Sequence, residues 1–86
     1  MTVRDLRAGS NPVRSSTRIS YTLAQAGPVS CAVYDGAGRR VAELFRGQQA
    51  AGEQSLTWNA TGVGPGAYFV RIEGAAQGTV RLVKAE

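Results

Sequence analysis

Arg18-Ile19-Ser20-Tyr21-Thr22-Leu23-Ala24, then Gln25-Ala26-Gly27-Pro28, then Val29-Ser30-Cys31-Ala32-Val33-Tyr34 and Asp35-Gly36-Ala37-Gly38, is the stretch that decides the fold. In the first run Ile19, Tyr21 and Leu23 fall on one side, Ser20 and Thr22 on the other. In the second, Val29, Cys31 and Val33 alternate with Ser30, Ala32 and Tyr34. A period of two marks a half-buried strand rather than a helix. Gly27-Pro28 separates the two runs. Asp35-Gly36-Ala37-Gly38 reads as a hairpin loop that needs positive φ, which glycine adopts without steric penalty.

The same alternation continues on both sides. Downstream, Leu56 and Trp58 flank Thr57, Tyr68, Val70 and Ile72 alternate with Phe69, Arg71 and Glu73, and Val80 and Leu82 alternate with Thr79, Arg81 and Val83. Upstream, Val3 to Ala8 is a weak first strand, and Asn11-Pro12 marks a turn. Only Val41 to Phe45 has a spacing that would suit a helical turn, and it is too short to stand alone. Gly47 and Gly52 bracket what reads as a polar loop around Gln48-Gln49, and Gly74 to Gly78 reads as the last hairpin. Seven short strands punctuated by turns predict an all-β, seven-stranded antiparallel immunoglobulin-like β-sandwich. Its expected core is Leu6, Ile19, Tyr21, Leu23, Val29, Cys31, Val33, Val41, Leu44, Leu56, Trp58, Tyr68, Val70, Ile72, Val80 and Leu82.

Composition bounds the function. The 86 residues are 43% hydrophobic and 19% charged, enough for one folded domain, 1–86. A domain this small buries only roughly 60% of the surface its unfolded chain exposes, leaving little room for a deep cleft. There is no His and one Cys, Cys31. Imidazole chemistry, His-ligated metals, an internal disulfide and a thiolate metal cluster are thereby excluded, and no cofactor is expected. Cys31 has inward parity and reads as a small buried hydrophobe, not a nucleophile. The carboxylates Asp35, Glu43, Glu53 and Glu73 are spread along the chain and do not make a glycosidase pair. The net charge is +4, but the Arg residues are scattered and do not interleave with aromatics, so no nucleic-acid partner is predicted. No stretch approaches the ~20 apolar residues of a membrane span, and the N-terminus lacks a signal-peptide pattern.

Several short motifs occur in a set order: Asn11-Pro12, Ser16-Thr17-Arg18-Ile19-Ser20-Tyr21-Thr22-Leu23, Val33-Tyr34-Asp35 with Gly38-Arg39 and Val41, Ala51-Gly52, Leu56-Thr57-Trp58, Pro65-Gly66-Ala67-Tyr68-Phe69 and Val80-Arg81-Leu82-Val83-Lys84. Over residues 6 to 84 this series resembles the C-terminal sorting domain of the bacterial type IX secretion system. It is equally similar to the immunoglobulin-like domain of flagellar hook-capping proteins. Ser10 stands where the family usually has Pro, and Arg81 where it often has Lys. The first resemblance implies a non-catalytic module, C-terminal in a larger secreted protein such as a hydrolase. It would act in type IX export and in attachment to the outer cell surface, so that the protein is secreted and associated with the outer membrane. The chain ends two residues after Lys84, as expected of a terminal signal. Expected partners are the secretion machinery or cell surface and the cargo tethered N-terminal to the module, which is itself a monomer. The second resemblance implies a structural domain or spacer, and a carbohydrate-binding module is a third reading.

Candidate interaction residues follow from position. In the last strand Val80 and Leu82 anchor the core while Arg81 and Val83 face outward. Lys84 is expected at the exposed strand end by snorkelling, despite its inward parity. Tyr34 and Phe69 share the parity opposite to the core and are expected together on one outer face. Tyr68 is expected to be buried with its hydroxyl bonded to a loop.

Overall fold

The computed structural model describes residues 2–85. It is all-β, with seven strands: β1 (Arg4–Ala8), β2 (Ser16–Leu23), β3 (Gly27–Asp35), β4 (Arg40–Gln49), β5 (Gly52–Asn59), β6 (Gly66–Gly74) and β7 (Gly78–Lys84). They form a three-stranded sheet, β1-β2-β5, and a four-stranded sheet, β4-β3-β6-β7. All strand pairs within the sheets are antiparallel.

The alternation seen in the sequence becomes the gap between the sheets. Ile19, Tyr21 and Leu23 of β2 face Val29, Cys31 and Val33 of β3, and Trp58, Val70, Ile72 and Leu82 complete the buried set. Trp58 from one sheet meets Tyr68 from the other, ring centroids 5.4 Å apart and planes tilted by 57°. The Tyr68 hydroxyl donates to the Gly64 carbonyl at 2.7 Å, tying the loop before β6 to the core as expected. Leu6, Val41, Leu44, Leu56 and Val80 are only half-buried at the margin. The interior is finished instead by Val3, Val13, Ala60 and Ala76, which lie outside the strands.

One expectation is corrected in β4. Val41 to Phe45, whose spacing would also suit a helical turn, is strand as the all-β reading requires, but the strand runs on to Gln49 through the supposed polar loop. The register against β3 shifts between Cys31 and Ala32 and again between Val33 and Tyr34. Each shift inserts an extra residue, which breaks the period of two and imitates helical spacing. Gln49 is thereby brought to the Tyr21 hydroxyl, which donates to its Oε1 at 2.5 Å.

The turn after β3 behaves as its residues dictate. Asp35 Oδ1 accepts from the backbone N–H of Ala37 at 3.0 Å and of Arg39 at 2.9 Å, and Gly38 takes φ +86°. Those bonds, with the Arg39 amide foremost and the Arg39 guanidinium adding to it, hold the Asp35 carboxyl below its ordinary range.

Candidate functional site

The residues singled out in the sequence converge on the four-stranded sheet. Register places Arg40 opposite Tyr34, Tyr34 opposite Phe69, and Phe69 opposite Arg81. One row across all four strands therefore reads Arg-Tyr-Phe-Arg on the face turned away from the core. The next row reads Glu43, Ala32, Arg71, Thr79. On the other side of the first row, Ala67 pairs with Val83. Tyr34, Phe69, Arg81 and Val83 thus share one surface. Val83 is 36% exposed, the one exposed large hydrophobic among the described residues.

Lys84 does not join them, which corrects the expectation that it stands exposed at the strand end. It is buried, with 8% of its surface exposed, and its Nζ donates to the Ala85 carbonyl at 3.0 Å. The inward parity of position 84 prevails over the charge: the aliphatic stem is covered and the ammonium turns back to the backbone.

Two features of this surface had no signal in the linear sequence. The first is Arg71, whose guanidinium carbon lies 4.7 Å from the centre of the Tyr34 ring. Such a contact holds the cation over the aromatic face. It also covers Tyr34, so the two surface aromatics do not form an open platform. The second is the strap across the outer edge of β7. Val83 N–H donates to Asn11 Oδ1 at 3.0 Å, Val13 N–H to the Val83 carbonyl at 2.7 Å, and Ala85 N–H to the Val13 carbonyl at 2.8 Å. Val13 itself is fully buried. At the other end of β7, Val3 N–H donates to the Gln77 carbonyl at 3.0 Å. The Asn11-Pro12 bond is cis. A strand edge is normally a row of unpaired groups open to another chain. Here both ends of the β7 edge are already engaged by the chain's own N-terminal segment.

Residues 11–85 match the family of secretion system C-terminal sorting domains. The chain belongs to that family. The match falls on the first of the two resemblances that the motifs carry. No curated protein and no solved structure matches the chain. The matched span of this sorting domain starts at Asn11 and ends at Ala85, the two segments that bond one another along β7. Its ends in sequence are therefore one place in space.

Cys31 is fully buried, and burial pushes its thiol up to about 11, so it is protonated at neutral pH. Among the described residues no group of three His, Cys, Asp or Glu side chains is placed to hold a metal ion.

Proposed function

We propose that this chain is the non-catalytic sorting and cell-surface attachment module of a larger secreted protein, such as a hydrolase, exported by the type IX system. In this reading the domain follows its cargo in the chain, engages the secretion machinery, and delivers the cargo to the outer surface of the cell. The observation that carries the reading is the family match over residues 11–85. The last strand of that span is fixed from inside by the fully buried Leu82 and presents Arg81 and Val83 outward. A signal that must be read on a folded cargo needs both properties, a rigid mount and an accessible face.

The test is the pair of changes Arg81→Ala and Val83→Ser in the full-length secreted protein. Exposed positions of this kind usually shift stability by no more than ~0.5 kcal/mol, so the domain stays folded, as near-ultraviolet circular dichroism of the purified variant will show. Lys84 is left intact because it is buried. The expected result is cargo held in the periplasm. Delivery to the cell surface at the unmodified level would refute the reading.

A further inference from the structure

The row Arg40-Tyr34-Phe69-Arg81 and the stacked Arg71 carry an imbalance of charge. Arg40 is paired with Glu43 at 3.3 Å. Among the described residues no carboxylate forms an ion pair with Arg71 or Arg81. Phe69 faces Arg81 and Arg71 faces Thr79, so Arg71 and Arg81 occupy diagonal positions on adjacent strands of this face, with the Arg71 head turned toward Tyr34 on β3. Two guanidiniums on one face without an ion-pair partner among the described residues, against the single outward carboxylate of Glu73 on the same strand, leave that face positive. Arg71 is moreover held on the Tyr34 ring, so its planar fork is positioned before any partner arrives.

We propose that this outer face of the four-stranded sheet docks an acidic protein surface, with Arg71 and Arg81 as the central contacts and Phe69 and Val83 as the apolar ones. Arg and aromatic residues concentrate at the energetic centres of protein interfaces, and the guanidinium fork matches a carboxylate at two points. The alternatives fit less well. An acidic polysaccharide would be held best by paired rings on which sugars stack, and Arg71 lies over the ring of Tyr34, leaving Phe69 alone. An anionic membrane would need apolar side chains to insert, and Val83 is the one exposed large hydrophobic among the described residues. Strand addition at the far end of β7 is blocked, because Asn11 and Val13 already hold the edge at Val83 and Ala85. The partner therefore reads the face and not the edge.

The size of the face sets the kind of binding. Four strands about 4.8 Å apart, rising about 3.4 Å per residue over 7 to 10 residues, give a face of roughly 450–650 Å². A stable interface buries about 800 Å² per partner. The contact is transient and sensitive to salt, which suits a signal that is read and then released.

That the acidic partner belongs to the export machinery rests on the sorting reading above; the chemistry of the face is tested separately. The probe is poly-L-glutamate, titrated against the isotope-labelled chain at pH 7 and low salt, with polygalacturonate and phosphatidylglycerol vesicles in parallel. Poly-L-glutamate is expected to shift the amide signals of Tyr34, Phe69, Arg71 and Arg81. Arg71→Ala and Arg81→Ala should each weaken its binding about fivefold or more, and Arg71→Lys should fall between. Arg4→Ala, a charge-matched change on β1, should weaken it less than twofold. Equal loss from Arg4→Ala would mean diffuse attraction and would overturn the inference. So would tighter binding to polygalacturonate or to the vesicles. In cells, Arg71→Ala in the full-length protein should reduce surface delivery. If it does not, while the Arg81→Ala, Val83→Ser variant is retained, the docking face is wrong and the sorting reading stands. If both variants are delivered normally, the sorting reading fails as well.

Discussion

Asn11 is the place where the start of the family's span touches its end, and replacing it with Ala isolates that contact. Its Oδ1 accepts the Val83 N–H at 3.0 Å at an exposed site. Loss of the bond costs about 0.5–1.5 kcal/mol, and the lower half of that range applies because water can replace the acceptor. The two backbone bonds of Val13, at 2.7 and 2.8 Å, remain, so the strap loosens without leaving. Amide exchange at Val83 by native-state NMR reads the effect directly. At about 1.4 kcal/mol per factor of ten, the Val83 amide of Asn11→Ala should exchange roughly 2- to 5-fold faster. The amides of Val33 and Val70, deep in β3 and β6, should change less. Asn11→Asp keeps an acceptor oxygen in place, and at pH 6 its Val83 amide should retain most of the protection. Unchanged Val83 exchange in Asn11→Ala would refute the argument that this side chain fastens the sorting strand. Equal acceleration in Asn11→Asp would show that the effect comes from the backbone of the turn, not from the acceptor.

Other outcomes follow from the same structure. Gly74 adopts φ +121°, and a Cβ there would run into the Pro28 carbonyl oxygen, which accepts the Ala75 N–H at 2.7 Å. Gly74→Ala should cost at least about 2 kcal/mol, lowering Tm by about 10 °C or more, and a Tm within about 2 °C of the parent would contradict that geometry. Tyr68→Phe removes the donor to Gly64 at 2.7 Å while keeping the ring against Trp58; a loss of about 1 kcal/mol in urea unfolding and faster proteolysis at residues 62–66 are expected. The Cys31 thiol rises from 9.0 to about 11 on folding, so its contribution is complete below about pH 9 and declines as pH climbs through about 11. The difference, 11 − 9.0, is about 2 units or on the order of 3 kcal/mol at the limit. Tyr21, whose hydroxyl is also raised by burial, adds to the alkaline loss. Cys31→Ala, compared with the parent from pH 8 to 11, separates the two, and parallel stability profiles would rule out the thiol's share.

The strands that keep an unbroken register were legible in the sequence, and those that do not were hidden. β2 pairs with β5 over eight residues without a shift, so Ile19, Tyr21 and Leu23 announce the buried face of β2 by spacing alone. β4 carries two register shifts, and an inserted residue moves its successors to the opposite side. No periodicity could therefore show that Phe45 pairs with Cys31 while Glu43 pairs with Ala32. Val13 and Ala60 complete the core from connecting segments, where the chain has no regular spacing to read. For Lys84 the two sequence signals conflicted: alternation pointed inward and charge pointed outward. A long aliphatic stem satisfies both by burying its carbons and bonding its ammonium to a neighbouring carbonyl.

The surface shows the same limit more sharply, because its contacts depend on register rather than composition. Tyr34 and Phe69 could be assigned to one face by parity. That Arg71 lies on the Tyr34 ring depends on how β3 and β6 align, since a slip of one residue would send Arg71 to the core side. The Asn11-Pro12 turn poses the same problem at longer range. Read locally, Asn beside Pro is explained by the turn alone. Its partner, the Val83 amide, is 72 residues away. An acceptor at that point, with the two backbone bonds of Val13, occupies the end of the β7 edge at Val83 and Ala85. The turn thus bears on sorting through what it withholds: that end of the edge is taken, and the outward side chains of the strand are left uncovered.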